Sequence, residues 1–262
     1  MTPYPSYQGH ETISNQLARR GLDVVLISRS LEKLKTVATD IEQEFGCYTK
    51  IIQTDFTGGS EIYEPINDAL KGLDIGILVN NVGIKVPDHP ARFLDVPDIS
   101  KVIENMANCN MLSVMQMTRL VLPHMLKKKK GVIINLSSEV GKRPYPMTLL
   151  YSITKAFVDF FSRGLHLEYK SRGIIVQSVM PLLVSTNLSQ NKKPNIFIKT
   201  PEAFVCDALN TVAYTQRTSG CLSHSLQSYA LDLLLPDILL YTLVSLKSQE
   251  DCYKSIDCKK EK

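Results

Sequence analysis

Apolar residues in this chain fall into short unbroken runs. Between the runs lie longer stretches in which they recur every three or four positions. The runs are Asp23–Ser28 (DVVLIS), Tyr48–Phe56, Ile75–Asn80, Gly131–Leu136 (GVIINL) and Ile174–Met180. Runs of this length predict strands buried on both faces. Helical spacing predicts helices over His10–Arg20, Leu31–Phe45, Glu61–Lys71, roughly Ser100–Lys127, and from near Tyr151 to about Arg172. Leu34, Val37 and Ile41 share a face, as do Ile62, Ile66 and Leu70. On the long helix the predicted stripe is Ile103, Met106, Asn110, Val114 and Met117. Gly21, behind Arg19 and Arg20, is a helix stop. Pro87, Pro90 and Pro97 mark a loop from Ile84 to Pro97.

Strands that alternate with helices and are apolar throughout indicate a parallel sheet covered on both faces, with right-handed crossovers. The predicted fold class is α/β, a Rossmann-like doubly wound parallel sheet. Its ligands should sit at the carboxyl ends of the strands. Residues 1–225 read as this domain, and 226–262 as a C-terminal apolar helical segment with a basic tail.

Composition narrows the function classes. The 262 residues carry a formal charge of +4, too mild to argue for nucleic acid. Lys127–Lys130 reads as a solvated turn. The six cysteines form no Cys-x-x-Cys pair and the five histidines no ligand spacing, so no metal is expected. Scattered cysteines fit a reducing compartment. Asn135 and Asn187 each begin an Asn-Leu-Ser sequon, Asn135 within a predicted strand. Met1–Gly9 lacks the basic start and apolar run of a signal peptide. Tyr229–Leu246 is strongly apolar but interrupted by Asp232, Pro236 and Asp237.

The chemistry concentrates between Ser137 and Lys155. A strand end carries Ser137 and Ser138, a loop follows, and a helix brings Tyr151 and Lys155 onto one face, four residues apart. A phenol is a poor acid at neutral pH, and an ammonium one turn away is expected to lower its pKa. A serine hydroxyl beside them can polarise a carbonyl oxygen. Tyr-x-x-x-Lys alone is weak, since an ordinary helix face gives the same spacing.

With its preceding strand and serine, the segment resembles the short-chain dehydrogenase/reductase family. Leu22–Arg29 (LDVVLISR), Ile75–Gly83 (IGILVNNVG), Phe157–Ser162 (FVDFFS) and Val176–Pro181 (VQSVMP) carry the same resemblance. They are similar above all to its microsomal 17β-hydroxysteroid dehydrogenase branch, which also holds long-chain 3-oxoacyl-CoA reductases. The resemblance covers roughly residues 11–225. It implies Ser138, Tyr151, Lys155 and Asn110 as the catalytic set, with Asn110 supporting a water that leads from Lys155. It implies NADP(H) as cofactor, held by Arg29, Asp55, Asn81, Gly83, Lys155, Pro181, Val184 and Thr186. Arg29 favours a 2′-phosphate, where an acid would favour NADH; a solvated strand-end charge is the plainer reading. The implied substrate is a lipidic ketone, either a ketosteroid or a 3-oxoacyl-CoA, and a homodimer through the Tyr151 helix is implied by analogy.

Two departures qualify this. Glu139 stands where the branch has a small residue. The family's opening strand and Thr-Gly-x-x-x-Gly-x-Gly loop, which cradles the pyrophosphate, has no counterpart in MTPYPSYQGH. The sheet is therefore expected to lack its first strand, as in an N-terminally truncated chain. The alternative function is a catalytically impaired relative that binds a lipid or a partner. Lys259-Lys260-Glu261-Lys262 resembles a dilysine retrieval signal, so the expected location is the cytosolic face of the endoplasmic reticulum membrane.

Overall fold

A computed structural model describes residues 8–234, apart from 88, 90, 190 and 191, together with 242. The Lys259–Lys262 signal, Cys252, Cys258, most of Met1–Gly9 and most of the apolar segment beyond Leu234 lie outside the described residues.

Two parallel ladders form. In the first, β1 (Val24–Ser28) pairs with β2 (Thr49–Gln53), Val24 opposite Thr49 and Ser28 opposite Gln53. In the second, β3 (Ile77–Asn80), β4 (Gly131–Leu136), β5 (Ile174–Val179) and β6 (Arg217–Thr218) lie in that order. Asn80 stands opposite Asn135, and Leu136 opposite Val179. The break that the sequence pattern implies falls between β1 and β3. There a cleft of about 480 Å³ opens, walled along its length by Val24–Ser28 on one side and Ile77–Asn80 on the other. Among the described residues, neither strand has a partner on the edge it turns toward that space.

The helices are α1 (Gln8–Ala18), α2 (Leu31–Phe45), α3 (Tyr63–Leu70), α4 (Ile99–Ala107), α5 (Ser113–Lys128), α6 (Leu149–Tyr169), α7 (Pro201–Asn210) and α8 (Leu222–Leu234). Alternation along β4 and β5 fills both faces of the sheet. Ile133, Ile174 and Val176 pack with Val121, Leu122 and Met125 of α5 and Leu165 of α6. Ile134 and Val179 pack on Phe204, Val205 and Ala208 of α7. Each such side chain contributes about 1.5–3 kcal/mol by burial. Gly173 closes the turn into β5 at φ +79°; a Cβ there would lie 2.0 Å from the Lys129 carbonyl oxygen.

Two expectations need correcting. The strand expected over Tyr48–Phe56 ends at Gln53, because Asp55 and Thr57 turn the chain. The single long helix is interrupted by a π turn over Asn108–Leu112. Its buried positions begin at Val102, Asn105 and Met106, leaving Ile103 exposed rather than on the inner stripe. The extra residue in the π turn rotates the faces, which a uniform 3.6-residue period misses.

Candidate active site

The end of β4 is clasped to α6 from both partners. Ser137 Oγ donates to the Lys155 carbonyl at 2.7 Å, and Lys155 Nζ donates to the Leu136 carbonyl at 2.7 Å. Ser152 Oγ donates to the Val140 carbonyl at 2.9 Å. On the other side, Ser137 N–H reaches the Val179 carbonyl and Glu139 N–H the Pro181 carbonyl. Ser138 is thereby fixed between α6 and the end of β5. Its Oγ stands 3.5 Å from the Pro181 carbonyl oxygen, the outer limit of a hydrogen bond. The hydroxyl is thus positioned by its backbone and lightly held.

Gly141 makes this approach feasible. A Cβ there would sit 2.7–2.9 Å from the backbone of Lys155 and Ala156. Gly141→Ala is expected to push the Ser138 loop off α6, costing about 1–3 kcal/mol and several degrees in melting temperature. A thermal melt checks it, and an unchanged midpoint would show that the loop yields freely.

Tyr151 is half-buried, packed with Val96, Val102 and Met106. Lys155 Nζ lies 5.6 Å from the centre of its ring. The expectation that this ammonium lowers the phenol's pKa is not met here. Burial pushes the Tyr151 hydroxyl above its ordinary value. Burial also lowers the Lys155 amine to about 8. Both shifts have the same origin, since a low-dielectric site disfavours either charge. The amine addresses the Leu136 carbonyl and the ring face rather than the phenol oxygen.

The Lys155 shift has a signed consequence. Its ordinary pKa is 10.5. Between about 8 and 10.5 the unfolded chain binds the proton that the folded chain has released, so stability rises with pH across that window. The gain is on the order of 3 kcal/mol. Lys155→Met should flatten the rise in urea midpoints between about pH 8 and about pH 10; an equal rise in the variant would assign it elsewhere.

Asn110, in the π turn, is 1 % exposed. Its Oδ1 accepts from Ile84 N–H at 2.7 Å, and its Nδ2 donates to the Ile84 carbonyl at 2.8 Å and to Thr154 Oγ1 at 3.0 Å. This side chain staples the loop after β3 to α6, so its amide is committed to protein partners. Thr154 was not singled out by sequence reasoning; its place one residue before Lys155 was the available signal. A second chain runs from Asn80 Nδ2 to Asn135 Oδ1 at 2.8 Å and from Asn135 Nδ2 to Ser162 Oγ at 2.9 Å. Asn135 is fully buried, which disposes of its sequon as a surface site.

The residues expected to hold a cofactor lie at strand ends. Arg29 follows β1, half-buried, and its carbonyl accepts from Gln53 Nε2 at 3.1 Å. Asp55 follows β2, exposed, and accepts from Thr57 N–H and Oγ1. Asn81 follows β3 and lines the cleft, and its Nδ2 is buried without a hydrogen-bond partner. An orphan buried donor on a residue that lines a cleft is compatible with a polar ligand group there. Gly83 is buried two residues on. Beyond β5, Pro181 meets Ser138, while Ser189 Oγ donates to the Val184 carbonyl and accepts from Thr186 N–H. Among the described residues, no group of three or more His, Cys, Asp or Glu could hold a metal ion.

Glu139 is 6 % exposed. Its Oε1 accepts from Ser228 Oγ at 3.1 Å and pairs with Lys142 Nζ at 3.1 Å. Lys142 also reaches Ser228 and Asp232, and Arg143 pairs with Asp232 at 2.6 Å. The residue after Ser138 is therefore tied through charges to α8. Ser228 and Asp232 escaped sequence reasoning because nothing local links them to residue 139.

Comparison with known proteins bears on the family and the fold. The family model for short chain dehydrogenases matches residues 9–196. A very-long-chain 3-oxoacyl-CoA reductase from Anas platyrhynchos is 49 % identical over 236 residues, covering 90 % of this chain and 75 % of the relative. A short-chain dehydrogenase from Sphingobium yanoikuyae, solved in complex with NADPH, is 28 % identical with a TM-score of 0.72, covering 84 % of this chain and 87 % of its own. A 7β-hydroxysteroid dehydrogenase structure superposes at a TM-score of 0.82 over 91 % of this chain and 93 % of its own; at 20 % identity it speaks for the fold alone.

Proposed function

We infer the function from one premise, that this chain belongs to the short-chain dehydrogenase family. The reaction is reduction of a ketone on a lipidic substrate, a long-chain 3-oxoacyl thioester before a ketosteroid, with NADPH as reductant. The observation that carries it is the clasp that sets Ser138 beside the α6 face bearing Tyr151 and Lys155. NADPH, when bound, supplies the hydride. Tyr151 donates the proton to the carbonyl oxygen, and the high pKa given by burial keeps it protonated until that moment. Ser138 donates a hydrogen bond to the same oxygen as charge develops on it. Lys155 would hold the nicotinamide ribose from the same helix face, while its amine fastens the end of β4 through the Leu136 carbonyl. Asn110 holds the wall of the site through Ile84 and Thr154.

The orphan Asn81 amide and the strand-end placing of Arg29 and Asp55 support a dinucleotide. Arg29 supports NADPH over NADH, as does the NADPH-bound relative. Arg29→Asp should move the ratio of kcat/KM values from NADPH toward NADH, because a carboxylate repels the 2′-phosphate. An unchanged ratio would reduce Arg29 to a surface charge. The thioester preference follows the reductase from Anas platyrhynchos. Turnover of a long-chain 3-oxoacyl-CoA against a 17-ketosteroid, followed by NADPH absorbance, tests it directly; steroid turnover alone would reverse the preference.

A second reading rests on the cleft between β1 and β3. Edges without a partner among the described residues weaken the floor on which a dinucleotide lies, and favour a relative that binds without turning over. We place the protein at the cytosolic face of the endoplasmic reticulum, on the Lys259-Lys260 pattern. Self-association through the exposed Leu149, Ile153 and Phe160 of α6 is the dimer contact we favour.

A further inference from the structure

Helix α8 is amphipathic the wrong way round for a water-facing helix. Its buried positions are polar: His224 and Ser228 are shielded, and Asp232 is held by Lys142 and Arg143. Its outward positions are apolar. Leu222, Leu226, Tyr229 and Leu233 recur at i, i+4, i+7 and i+11, and each is between 61 % and 76 % exposed. On a helix this spacing is one narrow stripe, opposite the buried face. Leaving four large apolar side chains in water forgoes burial that a soluble helix would use.

The stripe has a neighbour. Gln227 Nε2 donates to the Phe197 carbonyl at 3.4 Å, placing the loop around Phe197 against the flank of α8. In that loop Ile196 is 78 % and Phe197 57 % exposed, while Lys192 and Lys193 stand exposed just before them. No acidic residue lies between Lys192 and Lys199. Apolar tips preceded by the exposed cations Lys192 and Lys193 match the boundary between acyl chains and anionic headgroups; Lys199, on the other flank, is paired with Asp207. A second copy of the chain would present the same lysines and meet them with like charge. Past Leu234 the sequence resumes an apolar run at Ile238, Leu239 and Leu240 after Pro236 and Asp237.

We propose that the α8 stripe and the Lys192–Phe197 loop form one docking face for an anionic lipid bilayer. It rests on the reading above that the protein works at a membrane on a lipidic ketone. The face borders the site: α8 touches the residue after Ser138 through Ser228, and the loop follows directly from the segment holding Pro181, Val184 and Thr186. A substrate leaving the bilayer would meet the pocket with little exposure to water. Among the described residues no helix is long and apolar enough to cross a membrane.

The test is flotation of the full 262-residue chain with vesicles of equal parts phosphatidylcholine and phosphatidylserine, and with phosphatidylcholine alone. The chain should float with the anionic vesicles. The double variant Leu226→Glu, Leu233→Glu should lower partitioning by about tenfold or more. Lys192→Glu with Lys193→Glu should abolish the preference for phosphatidylserine. All four side chains are exposed, and thermal melts should confirm an unchanged fold. Flotation of both variants at the wild-type level would overturn the proposal. So would a stripe variant that dissociates a dimer in sedimentation while wild type ignores the vesicles, since the occupant would then be a second copy. Ketone turnover is scored separately: a chain that floats but does not reduce upholds the face and sinks the reductase reading, and the converse does the opposite.

Discussion

Tyr151→Phe lowers kcat on an accepted ketone by about 10²–10⁴-fold, the range that general acid catalysis contributes. The variant keeps the ring, and with it the packing on Val96, Val102 and Met106. It loses only the proton donor. Lys155 keeps its bond to the Leu136 carbonyl, so the clasp that positions Ser138 survives. The expected result is a folded protein with near wild-type cofactor affinity and a collapsed chemical step. Affinity is readable from nicotinamide fluorescence without interference, because the chain has no tryptophan. A variant retaining turnover within a few-fold would show that the proton comes from elsewhere.

A chain extended before Gln8 by an apolar strand and a glycine-rich turn melts well above the 262-residue form. The cleft is walled by β1 and β3 along their length, so one inserted strand satisfies two edges at once. Several backbone hydrogen bonds at about 1 kcal/mol each, with the burial of the strand's own side chains, place the gain at roughly 5 kcal/mol or more. For a domain of this size that corresponds to roughly 10–20 °C. A glycine-rich turn at the start of α1 would also give a pyrophosphate a cradle of N–H groups, so NADPH binding should tighten in parallel. The control is an equally long Gly/Ser extension, which cannot fill the slot. Equal melting of the two would mean that the edges of β1 and β3 do not accept a strand.

Much of this architecture was legible in the sequence because continuous apolar runs and helical spacing are local signals. The bounds Leu31–Phe45 and Gly131–Leu136 emerge unchanged. The gap between β1 and β3 was expected because no apolar run precedes Asp23 to stand between them. What escaped is relational. The π turn at Asn108–Leu112 shifts a register that no composition records. The link from Glu139 to Ser228 joins residues 89 apart. The charge state around Tyr151 depends on burial, and four-residue spacing says nothing about how deep a face lies or where an amine points.

The reciprocal clasp between β4 and α6 bears on how this protein tolerates change. Lys155 gives its carbonyl to Ser137 and takes the carbonyl of Leu136 with its amine, so one residue supplies both halves of the fastening. Damage at either end unseats the other, and Gly141 leaves no slack between them. Sequence drift near this seam therefore meets a cliff rather than a slope. Variants there keep the whole arrangement or lose it, and graded loss of activity is to be found in residues that touch the substrate alone.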